Sequence, residues 1–466
     1  MTSERMKLIR TRTALAALLA AGVLAGCLQF QPYQRPDTPM PAAWAGGEAG
    51  AQTAPLAWED FVSDPALRAL VQKALDNNRD ARIAALQVEQ LRAQHRIREA
   101  ARLPTVAAGV TGSRVTTGED EPIKSTYTAG LQVTGWEIDF FGRLASLQES
   151  ARAQYLASEE ALRSTRIGLV AGVASGWLNL QSSDALLRLT QQTLTTREES
   201  LRLTRLRFDA GTASALDLRQ AESLVESARV TLAQQQRQRA QDLNALTLLV
   251  GQPLDQPLAE AQLMPARTAA GDVVAEVPVG LPSRVLLERP DIRAAEQKLA
   301  AANAQIGAAR AAFFPRIALT ASVGSASSEL SGLFKSGSWG WTLAPQALLT
   351  IFDAGANRAN LASAQAEREI TLAQYEKAIQ TAFREVNDAL AGRDTLATQL
   401  ASQQALVRAE TERLRLATLR ERQGVASQLE VLDAQRSQFA AEQALVQTRY
   451  ALLQARVALF KATGGV

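Results

Sequence analysis

Two stretches of this chain share one pattern at a fixed spacing, and that duplication limits what the chain can fold into. Arg207 to Glu222 reads RFDAGTASALDLRQAE and Arg420 to Gln435 reads RERQGVASQLEVLDAQ. Gly211, Ala213, Ser214 and Leu216 thus stand 213 positions before Gly424, Ala426, Ser427 and Leu429. Each copy spells the end of one helix and the start of another. Glycine takes the left-handed conformation that stops a helix, and Ser-x-x-Asp or Ser-x-x-Glu offers side-chain caps to the next helix's free amides. A single copy would be an ordinary helical hairpin, whereas two copies at one spacing mean a duplicated architecture.

The rest of the chain repeats around these turns. Helical periodicity begins near Pro65 and runs to about Leu103, with Leu67, Leu70, Val71, Leu75, Ile83, Leu86, Leu91 and Ile97 on one side. Pro104 stops it. The period then changes from 3.6 to 2. Val106, Ala108 and Val110, then Tyr127, Ala129, Leu131 and Val133, alternate with polar residues such as Thr128 and Gln132, which predicts a β-hairpin over about 105–138. Strands of roughly ten residues have the length that a tilted strand needs to cross a bilayer. A long helix to 207 and a return helix over 214–250 complete a first repeat, 65–251.

After a connector at 252–287 the plan restarts in a second repeat, 288–466. It has a helix to 314, a hairpin over about 316–353, a long helix to 423 and a return helix over 427–462. Asp291 precedes Pro315 by the same 24 residues that separate Asp80 from Pro104. Ile317, Leu319, Ala321 and Val323 alternate with Thr320 and Ser322, as do Trp339, Trp341 and Leu343 with Gly340 and Thr342. In the last helix Leu432, Phe439, Val446, Leu453 and Phe460 are spaced seven apart, the mark of a left-handed supercoil. The corresponding series Leu218, Val225, Leu232 and Leu246 is interrupted by Arg239. The fold class expected is therefore α+β, with long helical hairpins and four alternating strands per chain. Four strands cannot close a barrel, and open edges are not tolerated in lipid, so other copies must supply the rest. Two copies would give eight strands and three would give twelve.

The N-terminus points the same way. Arg5, Lys7, Arg10 and Arg12 precede an apolar run from Ala14 to Ala25, which has the layout of a secretory signal over 1–26 and is too short to span a bilayer as a helix. It ends Leu24-Ala25-Gly26-Cys27, which resembles the lipobox of bacterial lipoproteins; Cys27 is the single cysteine. That resemblance implies acyl chains on Cys27, enough together for stable anchoring, and Leu28 in place of aspartate implies an outer-membrane destination. A proline-punctuated strap, 27–64, follows and reads as an extended tether. The leader carries four of the 50 basic residues and one of the 47 acidic ones, so the mature chain has 46 of each, which gives no case for binding nucleic acid.

Leu281 to Ile292, LPSRVLLERPDI, followed by Ala295-Glu296, Ala302-Asn303-Ala304, Ile306-Gly307 and Ala311 to Pro315, resembles the signature of the outer membrane factors of tripartite efflux systems. These form the TolC-like group, here in its NodT lipoprotein branch, and the resemblance covers nearly the whole mature chain. It implies a homotrimer with a twelve-stranded outer-membrane β-barrel, continued across the periplasm by a hollow tunnel of helices. It implies an equatorial region built from strap, connector and C-terminus. It also implies a passive exit duct for drugs or other small toxic compounds, docked by a periplasmic adaptor and fed by an inner-membrane pump, most readily of the resistance-nodulation-division type.

Under that resemblance the residues acquire roles. Pro104 and Pro315 are helix-to-strand turns, and Tyr127, Trp136, Trp339 and Trp341 are interface aromatics. Adaptor docking falls on the tips, at Gly211, Ser214, Leu216 and Asp217 and at Gly424, Ser427, Leu429 and Glu430. Charges that would hold a closed mouth there include Asp209, Arg420, Glu421, Arg422 and Glu430.

Enzymatic readings fare badly. The sole histidine, His95, lies in a basic helical stretch, no cysteine remains in the mature chain, and Glu159-Glu160 and Glu198-Glu199 read as solvated helix faces. No phosphate cradle follows a strand, so neither a cofactor nor a metal is expected beyond the lipid on Cys27. Two rivals remain: a lipid-anchored periplasmic coiled-coil scaffold without a pore, and the duct of a type I protein secretion system.

Overall fold

The computed structural model describes residues 33–36, 56–116, 123–254, 273–277 and 283–465; Cys27, the signal segment and most of the predicted connector lie outside these. The elements are α1 (Trp58–Phe61), α2 (Pro65–Asn77), α3 (Arg79–Ala100), β1 (Val106–Val115), β2 (Lys124–Glu137), α4 (Arg143–Asp209), α5 (Ala215–Val250), α6 (Pro290–Ala311), β3 (Arg316–Ser327), β4 (Trp339–Leu348), α7 (Ala356–Arg422) and α8 (Gln428–Ala462). Short 3-10 turns occupy Ser283–Glu288 and Leu330–Gly332. At 1.5 Å per residue, α4 and α7, each of 67 residues, extend about 100 Å. No helix among the described residues is long and apolar enough to cross a membrane.

The repeats of the sequence are not separate bodies. The chain divides into two compact units, and each draws on both repeats.

The first unit comprises 1–37, 87–159 and 294–376 and holds a four-stranded antiparallel sheet in the order β1-β2-β3-β4. Its register joins the alternating positions of all four strands. Ala108 pairs with Leu131, Leu131 with Val323, and Val323 with Trp341, so one face is apolar from edge to edge. Most of this face is uncovered in a single chain: Val110, Trp339 and Trp341 are about 70% exposed, at 73%, 69% and 71%. The next register position along carries Gly109, Gly130, Gly324 and Gly340, one from each strand. β2 and β3 approach closely there, since a Cβ on Gly130 would lie 2.3 Å from the Val323 carbonyl oxygen. Glycine permits that approach.

At the junctions with helices, α3 and α6 end at Ala100 and Ala311, and Pro104 and Pro315 stand one or two residues ahead of β1 and β3. Glu137, at the end of β2, accepts from Arg143 at 2.7 Å and from Arg316 at 2.6 Å, which ties the start of α4 to the start of β3. Phe141 stacks on Phe314 at 4.9 Å beside it.

The second unit comprises 38–86, 160–293 and 377–466. Phe61 stacks on Phe460 at 4.2 Å, and Val62 bridges to Val274, so residues ahead of the first repeat, in the connector and near the C-terminus share one core. Within the strap expected to be extended, Trp58–Phe61 forms a helical turn. Arg289 is buried and donates to the Ala462 carbonyl at 2.6 Å, to Asp291 at 2.7 Å and to Glu385 at 2.9 Å.

Two features depart from the periodic pattern. The helix predicted from Pro65 to Leu103 is broken at Asn78, whose ψ is 133°. Its amide explains the break: Oδ1 accepts from the Ala81 N–H at 3.0 Å, starting α3, while Nδ2 donates to the Leu249 carbonyl at 2.8 Å. The stripe splits with it. Leu67, Leu70 and Val71 of α2 are buried, whereas Ile83, Leu86 and Ile97 of α3 are exposed in one chain. The interruption at Arg239 is the second feature. Its guanidinium pairs with buried Asp184 of α4, and Ser183 bonds Asp242 nearby, so the missing heptad residue is replaced by a polar layer.

Candidate functional site

The two inter-helix turns share one backbone. Gly211 and Gly424 have φ of 76° and 72°, values that favour glycine. In the first, Gly211 N–H donates to the Phe208 carbonyl at 2.9 Å; in the second, Gly424 N–H donates to the Glu421 carbonyl at 2.9 Å. Matching positions are buried between the helices below each turn. Thr204, Leu218 and Ala221 are buried in the first hairpin, and Ala417, Val431 and Ala434 occupy the same repeat positions in the second.

The side chains at the turns are used differently. At the first, Ser214 and Asp217 form a full capping box: Asp217 N–H donates to Ser214 Oγ at 3.1 Å, and Ser214 N–H donates to Asp217 Oδ2 at 3.1 Å. At the second, Ser427 makes no side-chain cap, against the capping expected of its Ser-x-x-Glu. Glu430, one methylene longer than Asp217, instead accepts from Arg420 at 2.8 Å. Arg207, the repeat counterpart of Arg420, reaches out of its own hairpin: it donates to Glu421 and, at 3.3 Å, to Gln428. One ion pair therefore lies inside the second turn and another links the two turns.

Of the predicted gate charges, the structure brings together Arg420 with Glu430 and gives Glu421 a partner in Arg207. Asp209 and Arg422 have no ion-pair partner among the described residues. Sequence reasoning missed Arg207, although the repeat offset that aligns it with Arg420 marks it, and missed its bond to Gln428. Leu216, Val425 and Leu429 are exposed on the turns. A metal-binding cluster of His, Cys, Asp or Glu does not occur among the described residues.

The other predicted residues are distributed over the sheet. Trp339 and Trp341 stand on its open apolar face, and Tyr127, on the same face, lies opposite Gly112 and Ser327. Trp136 adds a local bond, its indole N–H donating to the Arg102 carbonyl at 3.1 Å just ahead of Pro104.

This combination of duplicated 67-residue helices, paired glycine turns and a sheet with an uncovered apolar face matches known proteins. The model of the outer membrane efflux protein family matches residues 70–252 and 281–465, and the chain belongs to that family. Relatives include a toluene efflux pump outer membrane protein, TtgC, of Pseudomonas putida, 46% identical over 98% of this chain and 96% of that one. Another is outer membrane protein OprJ of Pseudomonas aeruginosa, 44% identical over 97% and 95%. Among solved structures, the open state of the Neisseria gonorrhoeae MtrE outer membrane channel is similar with a TM-score of 0.85 at 37% identity, covering 94% of this chain and 98% of that one.

Proposed function

We propose that this chain is the outer-membrane exit duct of a tripartite efflux assembly, built as a homotrimer. The observation that carries this reading is the sheet: most of its apolar face is uncovered, and its edges, β1 and β4, have no strand partner among the described residues. Unpaired strand edges are excluded from lipid, so the sheet needs other copies to close a barrel. Three copies bring twelve strands, within the range of membrane barrels.

The chain supplies a passage and no catalytic step, so the driving energy comes from an inner-membrane pump, of the resistance-nodulation-division type, joined through a periplasmic adaptor. Small toxic organic compounds are the cargo class, consistent with the toluene in one relative's name. Acyl chains on Cys27 anchor the N-terminus in the same membrane. The adaptor docks on the glycine turns, where Leu216, Val425 and Leu429 offer exposed apolar contacts beside Ser214, Asp217, Ser427 and Glu430. The closed mouth is held by Arg207 with Glu421 and by Arg420 with Glu430. An exposed pair contributes little alone, and three symmetry copies around an axis add up.

Purified protein in a planar bilayer tests the reading. The duct gives discrete conductance steps and a trimeric mass in detergent; absence of conductance together with a monomeric or dimeric mass overturns it in favour of a lipid-anchored scaffold.

A further inference from the structure

Arg197, on α4, is 5% exposed and has no carboxylate partner among the described residues. One guanidinium nitrogen donates to the Leu224 carbonyl at 2.9 Å, and the group lies 5.1 Å from the centre of the Phe439 ring. Its Nε is buried with no acceptor. Burial pushes the guanidinium below its usual range, yet arginine stays protonated, so a full positive charge sits inside the helical unit. A buried charge is costly unless it is paired.

Arg197 lines a half-open cavity of about 170 Å³ formed by α4 of the first repeat with α8 and Leu414 of α7 of the second. The walls are rich in groups that can donate. Gln435 has a buried side-chain oxygen without a partner, and turning its amide end for end presents the NH2 group instead. The hydroxyls of Thr193 and Thr196, now bonded to carbonyls one turn back, also lie on the wall. Glu442 shares the cavity without pairing with Arg197; its carboxylate accepts from Gln438 at 3.0 Å.

We propose that this cavity is a binding site for a small monovalent anion of the halide class, held by Arg197 with Gln435 and the threonine hydroxyls. The anion neutralises the buried guanidinium and joins α4 to α8, one helix from each repeat. The cavity is large enough for a halide with one or two waters, a water taking about 30 Å³. The inference is independent of whether the assembly conducts.

The test uses the full-length purified protein in detergent, with bromide replacing a bulky sulfonate at constant ionic strength. The thermal midpoint of the wild type rises saturably, by about 2–4 °C at a hundredfold excess over the dissociation constant, and Arg197→Gln removes the rise. Crystals grown in bromide show an anomalous peak at the Arg197 guanidinium. Glu442→Gln retains the response, because it only removes a competing negative charge. Equal bromide dependence in wild type and Arg197→Gln overturns the proposal. So does a wild type indifferent to bromide whose Glu442→Gln variant responds, since Glu442 would then be the counter-ion.

Discussion

The turns at Gly211 and Gly424 have the same backbone and different side-chain bonding, and the difference lies in what each third-position carboxylate binds. Asp217 caps its own helix through Ser214, and Arg207 pairs with Glu421 of the other turn. Glu430 reaches Arg420 instead, and Ser427 goes without a side-chain bond. Phe208 stands in the first turn where Glu421 stands in the second, so the cross-turn pair runs in one direction only. Duplication has preserved the hairpin and divided the labour: one turn is locally closed by its cap, while the other carries both ion pairs.

If the turns share a backbone requirement, Gly211→Ala and Gly424→Ala lose similar stability, about 1–2 kcal/mol each, because nothing lies within 4 Å of an added Cβ and the cost is the left-handed conformation alone. Thermal unfolding followed by circular dichroism measures both, and a clear inequality breaks the equivalence. The caps separate the turns next. Ser214→Ala loses about 1 kcal/mol, and Ser427→Ala stays near zero. Glu430→Asp shortens the reach to Arg420, so the coupling between positions 420 and 430 in a double-mutant cycle falls towards zero, an effect smaller than that of Ser214→Ala.

The smallest expected difference depends on pH. Bonding to Arg413 holds the Asp433 carboxyl below its ordinary value of 3.8, with Arg436 adding to the effect. A lowered carboxyl stabilises the folded hairpin above that ordinary value, and the contribution is lost as pH falls through the lower, folded one. The first repeat has Ser200, Gln220 and Ser223 at the matching positions. The first hairpin uses a different carboxyl, Glu222, which Arg219 and Arg205 hold below its ordinary value of 4.5. Amide exchange near α7–α8 should therefore quicken below about pH 3.8 in the wild type and less so in Asp433→Asn, while exchange near α4–α5 is the same in both.

Much of this was legible in the sequence because it is local. Glycine stops, proline junctions and the change of period from 3.6 to 2 depend on a few neighbouring residues, and the strand phases read from Val106 and Trp341 meet on one face of the sheet. What could not be read depends on reach across the fold. Asn78 breaks a helix that its neighbours would continue, because its amide finds Leu249. Arg239 marks a lapse in a heptad only until Asp184 is seen opposite. Arg207 looks like any surface arginine until the second turn brings Glu421 to it. Exposed Ile83, Leu86 and Ile97 belong to the same class, since an apolar stripe shows that a face needs cover without showing what covers it.

The Arg207 and Glu421 pair links the two turns, and in the proposed duct it helps to keep the mouth closed. Charge reversal in planar bilayers tests it most directly. Arg207→Glu should raise the conductance of the resting channel severalfold, and adding Glu421→Arg should bring it back towards wild type by restoring the pair with its sign exchanged. Wild-type conductance in Arg207→Glu, or a double variant as open as the single one, would contradict the account.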